Sequence, residues 1–375
     1  MLQPSDFTRR QQGFNLTALK VKIVQDPASA YEIDQSLKLE TSMHMKPLNN
    51  PYLANMGYLR RPTNYLVKDA RVLGMSNVIA NSHGQAALEN IVFNPSKLNK
   101  VIDPRETNFS FFQDTLEFQS MLEIHVDKAV FIGGHHNYGH WLFNHVARLC
   151  FAGQLGADVK YLVPKSIRQS QKDMLFACGI ENEDMVFLEY GKTICVEELV
   201  IPQMPWHATS NGLTWWTPSC FSLLRSMLGL NAGILSKAKN RVFLTRKNTE
   251  RRHIINEDEI FSSIKKFGFQ RVDIGALSFS EQLELGKKTN ILVTPIGANS
   301  NFFLNLPLNA TVVELAPKMD AMNVTGPFSD ATGLNYTQIV GQKNSISKNS
   351  GLNEDFFVDP EIVVRELDRI VDAFK

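Results

Sequence analysis

A chain of 375 residues with 43% hydrophobic residues has the material for two domains of ordinary size. Its charged residues, 21% of the chain, sum to a formal net charge of +1. That balance argues against bulk nucleic-acid binding and against a strongly charged membrane patch, and leaves room for a local basic pocket. No run approaches the roughly 18 apolar residues of a membrane helix, and the N-terminus MLQPSDFTRRQQGFNLTALK has no apolar signal core. Cys150, Cys178, Cys195 and Cys220 are widely spaced in apolar surroundings. They read as reduced core residues of a cytoplasmic protein, not as a disulfide frame or a zinc site.

In chain order, residues 1 to 65 are interrupted by Pro4, Pro27, Pro47, Pro51 and Pro62, and Ala28 to Glu40 is the helical candidate there. Residues 64 to 90 alternate short β-rich pieces with Gly and Asn turns, which predicts a meander. Residues 94 to 124 carry no readable period. Lys128 to Ile132 is a buried strand, broken by Gly133-Gly134, and apolar residues from Trp141 to Ala152 recur at helical spacing. Strands follow at Lys160–Val163, Met185–Leu188 and Thr193–Ile201, with a helix from Ser166 to Cys178 ended by Gly179. This alternation predicts an α/β fold with a parallel sheet. His135 to His140 then falls on a strand-to-helix loop, where open α/β sheets place functional groups.

Pro202 to Pro218, with Trp206, Trp215 and Trp216, is the expected link between halves, and Thr217-Pro218 opens a helix through Leu228. The second half is better punctuated. Strands are expected at Arg241–Thr245, Gln270–Asp273, Ile291–Thr294, Thr311–Leu315 and Tyr336–Val340. Asn256 with Glu259 and Ser278 with Glu281 read as capping boxes, and Asp359-Pro360 starts the last amphipathic helix. Residues 341 to 355 read as a flexible loop. The stretch Asn290 to Pro317 reads as strand, glycine turn, short helix, strand. Backbone donors of Gly297, Ala298, Asn299 and Ser300 at such a turn suit a phosphate, and Glu314 suits a ribose hydroxyl.

The segment RVFLTR (Arg241 to Arg246), Arg252, Asn256 to Glu259, Gly268-Phe269, Leu277 to Phe279, Gln282, Gly297-Ala298, Asn301 and Val313 to Leu315 resemble glycosyltransferase family 61. So does the upstream NYGHWLFNHVARL. The resemblance covers about residues 64 to 317 with order and spacing kept. It implies a GT-B-like architecture of two Rossmann-like domains facing a central cleft, a nucleotide-sugar donor, and inversion at the anomeric carbon. Many bacterial members are filed as capsular polysaccharide biosynthesis proteins. The expected division is 1–205 on the acceptor side, 206–355 for the donor, and 356–375 as a C-terminal helix crossing back to the first half. Two positions depart from the family pattern: Ile296 replaces a histidine and Asn144 an acid.

Inverting transfer needs a base for the acceptor hydroxyl and positive groups for the leaving diphosphate. Arg246 is the first candidate for the diphosphate and Arg252 the second, with Asn301 on the donor side. Gln282 orients the site or makes a structural hydrogen bond. His140 is the candidate base, with His136 and His145 as alternatives. The histidine set has no carboxylate or cysteine in a ligand pattern, so neither metal nor cofactor is expected. Trp206, Trp215 and Trp216 are acceptor-stacking candidates or interdomain packing. The expected partners are a nucleotide sugar and a glycan or lipid-linked glycan, with peripheral contact at the inner membrane. The alternative is a non-catalytic glycan- or nucleotide-binding protein that keeps the fold.

Overall fold

The computed structural model describes residues 17–24, 29–33, 64–74, 78–87, 107–110, 115–120, 122–135, 137–150, 152, 158–202, 207–209, 212–214, 224–230, 238–317, 333–343 and 353–372. Their architecture is mixed α/β with two parallel-rich sheets. The first sheet contains β1 (Asn64–Leu73), β2 (Leu122–Phe131), β3 (Lys160–Pro164), β4 (Met185–Leu188) and β5 (Lys192–Pro202), in the spatial order β4-β3-β2-β5-β1. The pairs β4–β3, β3–β2 and β2–β5 are parallel, and β1 runs antiparallel to β5. The second sheet contains β6 (Asn240–Leu244), β7 (Phe269–Val272), β8 (Thr289–Pro295), β9 (Thr311–Pro317), β10 (Asn335–Lys343) and β11 (Phe356–Phe357). Its order is β7-β6-β8-β9-β10-β11, parallel except for β11.

Both orders reverse direction once, between β2 and β5 in the first sheet and between β6 and β8 in the second. Such a switch point leaves a crevice at the carboxyl ends of the two strands, because their crossovers depart to opposite sides. β9 is buried at every position, as expected of a strand covered on both faces.

Helices α1 (Gln169–Ala177), α2 (Glu257–Ile264), α3 (Phe279–Lys287) and α4 (Pro360–Asp372) cover the sheets. Gly179 and Gly268, with φ of 83° and 80°, follow α1 and the 3-10 turn after α2 in left-handed conformations that a side chain would strain. The Ser278–Glu281 capping box is present. The Asn256 box is not, because its amide donates to Val358 O at 2.8 Å and accepts from Val358 N at 3.2 Å, tying the start of α2 to the strand before α4. Val363, Leu367 and Ile370 of α4 pack with Ile260, Ile264 and Phe243 behind the second sheet. The helix therefore covers the second sheet.

Other expectations shift. Glu32–Ile33 is a strand on β1, inside the span expected to be helical. Thr107–Ser110 and Thr115–Ser120 are strands where the sequence showed no period. Residues 141–150 are helical as expected, but as a π segment (Trp141–His145) and a 3-10 segment (Val146–Cys150), and one α turn (Tyr138–His140) precedes them where a loop was expected. Cys178 and Cys195 are partly exposed rather than fully buried, and Cys220 lies outside the described residues. So do the expected helix start at 217–223 and most of the loop expected at 341–355, whose first residues extend β10. Among the described residues no helix is long and apolar enough to cross a membrane.

One apolar cluster joins the two sheets. It contains Val130 and Ile132 beside Trp141 and Phe143, and Leu244, Leu292 and Phe303 from the second half. At its edge α3 presses on the turn after β8: a Cβ on Gly286 would meet the Asn305 carbonyl oxygen at 2.7 Å and collide with Asn305 Cβ. Gly286→Ala is expected to lower stability by about 1–3 kcal/mol through overpacking, read as a lower urea midpoint with an unchanged m-value.

Candidate functional site

β6 and β8 flank the switch point of the second sheet, and the chain leaves their carboxyl ends through Thr245-Arg246 and Ile296-Gly297. Gly297 has φ 140° and ψ −160°, a conformation open to glycine. A Cβ here would collide with the Arg246 guanidinium unless that side chain shifted, and would lie 3.3 Å from Arg252 Nη1. Two guanidinium groups are thus pressed against one backbone turn.

Arg246 is only 7% exposed. Its Nη2 donates to Arg251 O at 3.2 Å, but its Nε and Nη1 and the Nε of Arg252 are buried with no partner among the described residues. Burial lowers the Arg246 pKa to about 10, with Arg252 and then Arg251 adding to the effect, so the group stays charged at neutral pH. Burial and then Arg251 also lower that of Arg252, while Glu314 opposes them. Buried, charged donors without acceptors are costly, and an anion at the turn relieves that cost.

Glu257, the first residue of α2, holds the Arg246 backbone in place. Its carboxylate accepts from Thr245 Oγ1 at 2.6 Å and from the Arg246 N–H at 3.2 Å. Arg252 has φ 61°, unusual for a non-glycine residue. The next residue anchors it: the His253 N–H donates to Asp355 Oδ1 at 2.8 Å, and the ring nitrogens lie 3.2 Å from Asp355 Oδ1 and 2.6 Å from Thr249 O. Asn353 Oδ1 accepts from Arg251 and Arg252 at 3.4 and 3.5 Å. Neither Glu257 nor Asn353 was singled out from the sequence. Glu257 stood within the family-like Asn256–Glu259 run, whereas Asn353 gave no signal.

The other donor-side candidates divide. Asn299 Nδ2 donates to Thr245 O at 3.3 Å, and Ser300 Oγ to Gly297 O at 2.6 Å, so both lock the turn. Ala298 opens the 3-10 helix that runs from the turn to Asn305. Gln282 Nε2 donates to Ile274 O and Leu277 O at 3.2 and 3.1 Å, which is a structural use. Glu314 is fully buried and accepts from Tyr336 Oη at 2.8 Å and Gln338 Nε2 at 3.1 Å. Its carboxylate is engaged inside the sheet, and its charge favours the charged form of Arg252. Ile296 is buried and donates its N–H to Leu315 O at 2.8 Å, so it brings an apolar side chain to the turn.

The second element of the site follows β2 at the switch point of the first sheet. Asn137 caps the turn, its Oδ1 accepting from the N–H groups of Gly139 at 2.9 Å and His140 at 3.3 Å. His140 Nδ1 lies 3.0 Å from Asn144 Oδ1. An amide oxygen only accepts, so with the Asn144 amide in this orientation Nδ1 donates and a neutral ring carries its lone pair on Nε2. The π segment sets Asn144 under His140. The His135 ring packs edge-on against His140 at 4.7 Å. His145 is buried, stacked on Trp141, with Nδ1 2.9 Å from Ile132 O. Burial, and next Arg148, hold its pKa well below the ordinary value, so it is a neutral structural imidazole. His136, Trp206, Trp215 and Trp216 lie outside the described residues.

The two elements meet. A Cβ on Gly139 would lie 2.9 Å from Asn301 Nδ2, and Phe143 stacks on Phe303 with centroids 6.4 Å apart. Asn301 lies one turn beyond Gly297, so it connects the cationic turn to the His140 segment. The result is an α/β protein with a buried cationic turn and the His140 imidazole on adjoining elements, an arrangement with the charge to attract an anion and a ring nitrogen able to exchange a proton.

Comparison with known proteins agrees with that class. Residues 138–313 match the glycosyltransferase 61 family model, and that match runs from the His140 segment through the arginine turn into β9. Over 139 residues the chain is also 30% identical to the EGF domain-specific O-linked N-acetylglucosamine transferase of Drosophila melanogaster. That similarity covers 33% of this chain and 26% of the relative, so the chain spans about a quarter of that protein's length.

The His145 environment makes a pH prediction. The folded-state pKa is below the unfolded value of about 6.5, so both states are neutral above it. As pH falls below about 6.5 the unfolded chain takes the proton first, and stability declines. Urea unfolding between about pH 5 and 7 should show that decline, and His145→Gln should flatten it while lowering stability at pH 7.

Proposed function

We propose that the chain is an inverting glycosyltransferase that moves a sugar from a nucleotide-sugar donor to a glycan acceptor. The observation that carries this reading is the convergence of the Arg246 and Arg252 guanidinium groups on the Gly297 turn, with donors unpaired among the described residues. A nucleoside diphosphate supplies the missing acceptors, and paired guanidinium donors suit its oxygens. The acceptor hydroxyl attacks the anomeric carbon as the bond to the diphosphate oxygen breaks, and the configuration inverts. His140 Nε2 takes the hydroxyl proton. The guanidinium groups and the turn take the charge that develops on the diphosphate, a role for which no metal ion is invoked.

Asn144 has a positioning role here, fixing the His140 tautomer. Glu314 acts as the counter-charge of Arg252 in place of the ribose contact expected from the sequence. The proposed arrangement is GT-B-like, with residues 1–205 on the acceptor side, 206–355 on the donor side, and 356–375 completing the donor half. Two sheets whose switch points share Asn301 and the Phe143–Phe303 contact support it.

For the acceptor we propose a bacterial surface polysaccharide, capsule or lipopolysaccharide, reached as a lipid-linked glycan from the cytoplasmic side of the inner membrane. The family resemblance supports this setting. The fly relative motivates a second reading, with N-acetylglucosamine as the sugar and a folded EGF domain as the acceptor. A screen of nucleotide sugars against glycan and EGF-domain acceptors separates the two. Binding without transfer or hydrolysis across all of them favours a non-catalytic protein, the reading motivated by Ile296 and Asn144.

Arg246→Ala should weaken nucleoside diphosphate binding ten- to hundred-fold, the scale of a lost charged hydrogen bond, by calorimetry. His140→Ala should lower turnover by about 10²–10⁴-fold with donor affinity near that of the parent. Asn144→Asp places a carboxylate beside the imidazole and favours its protonated form, so the acid limb of the kcat/KM profile should move to higher pH.

A further inference from the structure

The first sheet carries a second group of ligand-type side chains. β2 and β5 pair in parallel with His125 opposite Cys195, and Glu123 sits two residues back on the same face of β2. The imidazole, the thiol and a carboxylate oxygen of Glu123 all lie within 4.8 Å of one another. They line a cavity of about 360 Å³ together with Asp69, Arg71, Asp127 and Glu197. Four carboxylates there face one guanidinium.

The strands are irregular at this point. Val126, Val196 and Ala70 point into the core behind the sheet, and so do Ala129, Leu199 and Val67, three residues along each strand. A regular strand puts residues three apart on opposite faces. Each strand therefore changes face here, and Asp69 takes φ 51°. The change sets Asp127, Glu197 and Asp69 in adjacent positions across three strands, between the paired Val126, Val196 and Ala70 and the paired Lys128, Glu198 and Lys68. Like charges side by side in a sheet repel, and a bound cation removes that repulsion.

We propose that Glu123, His125 and Cys195 bind a divalent metal ion of the zinc class, with water or a neighbouring carboxylate in the fourth position. One thiolate, one imidazole and one carboxylate suit a borderline-soft tetrahedral ion better than magnesium or calcium. The thiol releases its proton to solvent on binding. Burial and then Glu123 push the Cys195 thiol pKa up, while Arg71 pulls it down. The metal would replace Arg71 as the partner of the sulfur. His125 lies six residues before the end of β2, roughly 20 Å of strand from the His140 segment. The ion would clamp β2 to β5 and take no part in sugar transfer.

The test uses the full chain stripped of metal by chelator and titrated with cobalt(II). The expected result is a thiolate-to-cobalt charge-transfer band saturating at one equivalent and bleached by zinc(II), with a higher Tm. Cys195→Ser should abolish the band, and Glu123→Gln should weaken cobalt binding at least ten-fold. Arg71→Ala should keep the band. No band, or a band unchanged in both Cys195→Ser and Glu123→Gln, means an adventitious ion only and overturns the proposal. The readout is independent of glycosyl transfer, so its failure leaves the Arg246 site untouched, and loss of that site leaves the metal proposal intact.

Discussion

The structure turns on a charge buried without enough acceptors. Arg246 is drawn into the junction of β6, β8 and the start of α2, and its partners are one backbone carbonyl, the Gly297 turn and two more arginines. Desolvating a guanidinium beside like charges is unfavourable, and the surroundings are arranged to hold it there. Glu257 fixes the backbone of Thr245-Arg246, Asn299 ties the turn to Thr245, and Glu314 opposes the repulsion at Arg252. The glycine at position 297 is favoured by its φ of 140°, which strains any larger residue, and the guanidinium tip lies where a side chain would begin.

Topology explains why this charge can meet the His140 segment. Both loops leave the carboxyl end of a strand at a switch point, where the crossovers diverge and leave a crevice. The shared apolar cluster then brings the two loops together, with Phe143 on Phe303 and Asn301 beside Gly139. The π segment adds a local device: it places Asn144 where its amide oxygen selects the His140 tautomer. An acid at that position would supply charge as well as orientation. Asparagine supplies orientation alone.

Much of the second half was legible because its strands are continuous apolar runs ended by Gly or Pro, and its helices start with recognisable caps. The Ser278–Glu281 box is such a case. Asn256 shows the limit: the same pattern is present, but a strand a hundred residues away takes the amide. Site roles were less legible than site positions. Arg246 and Gly297 stand just past their strand ends, as read from the sequence, whereas Glu314 reads as a strand-end acid until Tyr336 and Gln338 on the neighbouring strand engage it. The Glu123–His125–Cys195 group gave no sequence signal, because its members come from strands about seventy residues apart and are joined by β pairing.

The central claim is that the unpaired guanidinium donors at the Gly297 turn are a diphosphate site. A crystal structure of the protein soaked with UDP tests it most directly. The account predicts diphosphate density between Arg246, Arg252 and the backbone of residues 297–299, with the sugar-side oxygen turned toward His140. Ordered UDP at another site, with the Arg246 pocket unaltered, would contradict it.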